Sequence, residues 1–240
     1  LGMHARNLLG LGDLERAADV GADHLEGVRR LYGEGHRSFI SALALRASIE
    51  RKRGDNAQVI ALIEQQLEIE KEISAGVDST MRAALLNNLA DAQLESGDLA
   101  TARSTAAEAV RIGVATLPPL SPNLTTFRTT YARALAGLDL HEEALAQLDA
   151  AERLFEALSN PNSPGVLRAT NQSRRAESLL ALGRTQEAAE ALDRAWPKLL
   201  TLAEDDSRLQ HAHDLRDGIT DAAKAPKHRT THQRAEATTE

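Results

Sequence analysis

Few side chains in this sequence have the chemistry to hold a metal or move a proton, and their spacing suits neither task. His211 and His213 lie two apart in a stretch with helical apolar spacing. Their rings therefore point to different sides of a helix and do not share one ion. His228 and His232 have the four-residue spacing that brings two rings together on a helix, but they fall where apolar periodicity has ended. The adjacent carboxylates Glu142-Glu143 and Asp205-Asp206 stand at helix starts, where negative charge complements the helix dipole. The chain has no cysteine, which removes thiol nucleophiles, thiolate ligands and disulfides. It also has no glycine-rich phosphate loop, nucleophile elbow, zinc-protease motif or kinase signature. The expectation is a segment that is not an enzyme and uses neither metal nor cofactor. What remains is recognition by hydrogen bonds and charge.

The elements that would position such groups repeat. Turns at Gly12-Asp13-Leu14, Gly54-Asp55-Asn56, Gly97-Asp98-Leu99, Asp139-Leu140-His141 and Gly183-Arg184-Thr185 begin 42, 43, 42 and 44 residues apart. A fixed period of this size predicts a solenoid of helical hairpins, each burying its apolar face against its neighbours. Around each turn two small residues recur twelve apart: Ala5 and Ala17, Ala47 and Val59, Ala90 and Ala102, Ala132 and Ala144, Ala176 and Ala188. Two closely packed helices need a side chain near methyl size where their axes cross.

The turns Gly12-Asp13-Leu14-Glu15-Arg16-Ala17, Gly97-Asp98-Leu99-Ala100-Thr101-Ala102 and Gly183-Arg184-Thr185-Gln186-Glu187-Ala188 resemble the turn and second-helix start of tetratricopeptide repeats, and His141-Glu142-Glu143-Ala144 fits the same place. That family's usual period is about 34 residues. With its longer period and its Leu86-Asn87-Asn88-Leu89-Ala90 segment, this chain is similar to the kinesin-light-chain-like, long-repeat branch. Ser121-Pro122-Asn123 and Ser163-Pro164-Gly165, again 42 apart, sit where that branch places a proline before a new first helix. Serine as cap and proline at the first helical position make a sound helix start. Two departures stand out: first-helix aromatics are mostly replaced, and repeat 2 carries Glu50 and Arg51 where apolar residues are expected.

The resemblance implies an all-α, right-handed superhelical solenoid of five helix-turn-helix repeats plus a C-terminal capping helix. The solenoid spans 1–223, with repeats at about 1–35, 36–78, 79–120, 121–162 and 163–205, and the cap at 206–223. Helix pairs are placed at 1–11 with 14–32, 38–53 with 56–74, 80–96 with 99–115, 122–138 with 141–158, and 164–182 with 185–203. Pro197 should bend or end the last second helix early. Trp196 is expected to wedge against the capping helix. Residues 224–240 lack apolar periodicity and read as a disordered tail. Leu1 falls inside the first helix, so the native polypeptide is expected to extend N-terminally, and a catalytic domain would lie there.

Aromatic content of 2% against 42% hydrophobic predicts a shallow interior of alanine, leucine and valine. The net charge of -7, with both signs interspersed, argues against nucleic acid, and no apolar run is long enough to span a membrane. A cytoplasmic location fits these absences. In the resembled family the first helices line a groove, which implies a partner-binding concave face at Arg6, Ala44, Ser48, Asn87, Asp91, Thr129, Arg133, Ser173 and Glu177, with Asn88 and Arg174 beside them. Asn87 and Thr129 are read as hydrogen-bonding an extended peptide, and Arg6, Arg133 and Arg174 as pairing with its acidic groups. The functional expectation is a protein- or peptide-binding scaffold in the C-terminal part of a larger signalling or regulatory protein. The alternative is a sensor whose superhelix closes on a short peptide.

Overall fold

The five predicted turns share one backbone geometry. In the computed structural model, which describes residues 1–158 and 165–224, one residue per turn lies in the left-handed region: Gly12 at φ 78°, Gly54 at 81°, Gly97 at 84°, Asp139 at 59° and Gly183 at 72°. Glycine takes this conformation without a Cβ clash, and aspartate is one of the few other residues that tolerates it. The next amide then reaches back five positions to close the turn. Asp13 bonds Leu8, Asp55 bonds Glu50, Asp98 bonds Gln93, Leu140 bonds Leu135 and Arg184 bonds Leu179, all at 2.9 or 3.0 Å.

These turns join Gly2–Gly10 (α1) to Leu14–Tyr32 (α2), Arg37–Arg53 (α3) to Asn56–Ile73 (α4), and Thr80–Ser96 (α5) to Leu99–Thr116 (α6). They also join Pro122–Gly137 (α7) to His141–Ala157 (α8), and Gly165–Ala181 (α9) to Thr185–Leu199 (α10), with Ser207–Lys224 (α11) following. Three second helices start on an aspartate cap. The Asp13, Asp55 and Asp98 carboxylates accept from the amides of Arg16, Gln58 and Thr101 at 3.4, 3.0 and 3.2 Å. At the equivalent places Leu140 and Arg184 provide no side-chain cap.

All ten small crossing residues are buried, from fully covered Ala5, Ala17, Val59, Ala90, Ala102, Ala144, Ala176 and Ala188 to Ala47 at 6% exposure. Most of the core clusters bridge neighbouring hairpins, as a solenoid requires: Phe39, Leu43 and Ile63 pack with Leu89 and Ala92 of the next unit, while Ala132, Leu135, Ala144 and Leu148 close one hairpin on itself. Isoleucine takes most of the place expected for valine, and Phe39, Phe127 and Phe155 are buried with it.

Helix α10 stops at Leu199, four residues short of the expected end, because Pro197 lacks the amide that an interior helical residue donates. Trp196 is half-buried against α11, edge-on to His213 at 5.0 Å and capped by the Arg216 guanidinium at 4.3 Å. Ser121 occupies the cap position of α7 but makes no side-chain cap bond, leaving Pro122 to start the helix. Ser163, Pro164 and the expected tail, including His228 and His232, lie outside the described residues. No helix among the described residues is long and apolar enough to cross a membrane.

Candidate functional site

Which helices face inward follows from which helices touch. First helices pack on first helices, α1 on α3, α5 on α7, α7 on α9, and α9 on the cap α11. The second helices α2, α4, α6, α8 and α10 make no such approach to one another. A stack that is tighter along one row curves toward that row, so the first helices form the inner face. One joint breaks the pattern: Cα atoms of α3 and α5 nowhere come within 8 Å.

This stacking decides the fate of the expected groove residues. Asn87, Thr129 and Ser173, three residues before the crossing alanines, are buried and do not present themselves to a peptide. Each lies in a first helix that packs on the next one, or, for Ser173 in α9, on the cap α11. Thr129 donates its hydroxyl to the carbonyl of Thr125 at 2.9 Å and lies 3.2 Å from Asn171 Oδ1, and the Asn171 amide in turn donates to the Leu148 carbonyl at 3.2 Å. Ala44 holds the same position in α3 and is exposed, because α5 stands away from it.

One residue past each crossing alanine the expectation fits better. Arg6 and Ser48 are exposed, and Asp91, Arg133 and Glu177 are half-buried. Asp91 and Arg133, 42 residues apart, form an ion pair at 2.5 Å that ties α5 to α7. Asn88 is exposed and its side chain makes no hydrogen bond among the described residues, whereas Arg174 and Glu177 pair at 3.1 Å. His211 of α11 closes that cluster, 3.5 Å from Glu177 and 3.3 Å from Arg174. Burial alone would raise the Glu177 carboxyl, but the His211 hydrogen bond and the Arg174 charge hold it down to about 2. Arg133 and Arg174 are thus already neutralised inside the chain, leaving Arg6 as the unpaired cation of the expected set. His213 turns away onto Trp196, so the two histidines face different neighbours, as their spacing required.

Sequence reasoning marked Glu50 and Arg51 of repeat 2 as departures but assigned them no partners. Glu50 is 4% exposed and receives Arg46 at 3.1 Å and Arg53 at 3.4 Å, while Arg53 also reaches Glu15 of the preceding hairpin at 3.4 Å. Arg51 spans the α3–α5 joint to Glu95 at 3.4 Å. The i, i+4 spacing of Arg46 and Glu50 was the available signal. Lys52 was also missed. It shares an open cleft of about 410 Å³ with residues 203 and 205–208, so the second hairpin faces the α10–α11 connector.

Solved structures share this arrangement. A kinesin light chain with nearly identical tetratricopeptide-like repeats from Podosopora anserina superposes with TM-score 0.67 at 21% identity, covering 81% of this chain and 90% of that one. BtubC (BKLC) from P. vanneervenii gives 0.66 at 17% identity, covering 95% and 97%. The chain has the tetratricopeptide-repeat fold. The tetratricopeptide-repeat protein YrrB, described as having an unusual peptide-binding site, superposes less closely at 0.52, with 18% identity and 88% of each chain covered. No family model matches the sequence, and no curated protein matches it. The tetratricopeptide-repeat likeness is thus carried by the backbone path and the turn geometry, with the kinesin-light-chain-like structures sharing most of the chain's length.

Proposed function

We propose that this chain is a scaffold that binds an extended segment of another protein along its inner face. The observation that carries the reading is the line Arg6, Ser48, Asn88, Asp91, Arg133, Glu177, which runs across successive first helices and leaves polar groups at the surface. An extended peptide presents amides and carbonyls at regular intervals, and a row of small polar and charged groups at helical-repeat spacing meets them without burying either side unpaired. YrrB, with its peptide-binding site on a comparable backbone, supports the same use of the fold. Its place in the C-terminal part of a larger signalling or regulatory protein, in the cytoplasm, is part of this proposal.

The test is selection from a displayed random-peptide library on the intact chain, followed by binding of the enriched peptides to an Asn88→Ala, Arg133→Ala variant. Asn88 is exposed and Arg133 is half-buried against Asp91, so circular dichroism first checks that the variant keeps its helicity, and the proposal expects the peptides to bind on the order of tenfold more weakly. Unchanged affinity would remove the inner face as the site.

A second reading, a superhelix that closes on its peptide, is favoured by two observations together. The joint between α3 and α5 lacks backbone contact, and Lys52 faces Asp205 across a cleft without an ion pair joining them. A charge pair poised across an opening and a joint held by side chains without close backbone approach are the parts that a closing motion uses.

A further inference from the structure

Because second helices do not touch, an outer groove opens between α6 and α8, floored by α7. At its deeper end is a cleft of about 450 Å³ walled by Val114, Pro119, Leu124, Ala150 and Leu154. Val114 is 56% exposed, and nearby Leu120 is 49% exposed. Both are large aliphatic side chains left exposed to water. Two guanidinium groups, Arg128 and Arg153, complete the lining.

Most arginines in this acidic chain have a carboxylate partner; these two have none. Arg128 donates Nη1 to the Gln147 side-chain oxygen at 2.8 Å, a neutral acceptor, and its buried Nε–H has no acceptor. Arg153 is exposed and enters no hydrogen bond or ion pair among the described residues. The carboxylates of its own helix are turned the other way: Asp149 meets Arg175, and Glu152 and Glu156 meet Arg168 of α9. Both guanidinium groups line the same cleft, and burial first, then the charge of Arg153, pull the Arg128 guanidinium below its usual range. An unpartnered donor, two like charges held together and an aliphatic wall leave one kind of complement.

We infer that this outer cleft is a second docking site, for a partner-protein segment in which a carboxylate is flanked by aliphatic side chains. The carboxylate takes the planar donors of Arg128 and Arg153, and the aliphatic neighbours cover Val114, Leu124 and Leu154. A bare inorganic anion would use the arginines and leave the wall in water. A wholly apolar segment would leave the two charges facing each other.

The probe is the peptide acetyl-Leu-Leu-Glu-Leu-amide, titrated into the full chain with methyl NMR as the readout. The expected result is saturable shifts at Val114, Leu124 and Leu154, with affinity falling on the order of tenfold for the glutamine counterpart and for the Arg153→Glu chain. Arg153 is exposed, so that variant folds even where Arg128→Gln does not. Absence of shifts at those methyls would overturn the inference, as would equal binding of the glutamine peptide. Equal shifts with inorganic phosphate or octanoate would also overturn it, by showing that the peptide context adds nothing. The inner-face proposal stands or falls separately, because Asn88→Ala, Arg133→Ala leaves this cleft intact and Arg153→Glu leaves the inner face intact.

Discussion

Replacing a helical glycine by alanine normally strengthens a helix by about 1 kcal/mol, and in this chain the same change should have opposite signs at two places. Gly27 lies inside α2, and a Cβ built on it meets nothing within 4 Å. Gly27→Ala should therefore gain about 0.5–1 kcal/mol. Gly113 lies inside α6, where a Cβ would sit 2.9 and 3.0 Å from the Phe127 ring and 3.2 Å from Leu124. Phe127 and Leu124 are each only 4% exposed, so neither can swing into solvent to make room. Overpacking of this kind costs about 1–3 kcal/mol, which exceeds the helical gain and leaves Gly113→Ala less stable by about 1 kcal/mol. Thermal unfolding followed by circular dichroism should show midpoints moving in opposite directions by about 2–4 °C per kcal/mol for a chain of this size. Phe127→Leu in the Gly113→Ala background should recover part of the loss, because a smaller side chain vacates the overlap. If Gly113→Ala raises the midpoint as much as Gly27→Ala does, α6 and α7 do not approach as closely as described.

Three further outcomes follow from the geometry. Asp139→Gly should raise the melting midpoint, since it relieves a left-handed residue costing about 1 kcal/mol at the one turn of the five without glycine. Glu177 has a carboxyl held down to about 2, below its ordinary 4.5, so its contribution is present above the ordinary value and lost as pH falls through the depressed one. Wild-type stability should therefore decline between about pH 5 and 2, by about 1–2 kcal/mol once partial solvent screening is allowed for, and Glu177→Gln should flatten that part of the profile. For the closing reading, spin labels at Gln58→Cys and Glu204→Cys, in a chain with no native cysteine, should report a longer and broader separation after Lys52→Glu. An unchanged distance distribution would exclude Lys52 as one side of a latch.

The helical hairpins were legible in the sequence because their signals are local. A left-handed glycine followed by an aspartate cap specifies a turn and a helix start within five residues, and the small residues twelve apart mark the crossing without reference to anything distant. Even Asp139, which lacks the glycine, was found by period alone and adopts the same conformation. The inner face was less legible because it depends on how one hairpin sits on the next. A rotation of about 100° separates neighbouring positions on a helix. That difference buries Asn87, Thr129 and Ser173 while leaving Asn88 in solvent. Nothing near Ala44 announces that α5 stands off from α3. Glu50, polar where an apolar residue was expected, is enclosed by Arg46 and Arg53, whose spacing of three and four residues was a local signal, but its burial depends on the neighbouring hairpin. The Lys52 cleft joins residues some 150 positions apart and has no local signature.

The identical closure of all five hairpins, a left-handed residue followed by a backbone bond reaching five positions back, makes them interchangeable parts. Excising or duplicating the stretch between two equivalent turns would return the chain to the same backbone state at the splice. The reach of such a receptor thus grows or shrinks in whole rungs of about 42 residues, and its length can be adjusted without redesigning any single rung.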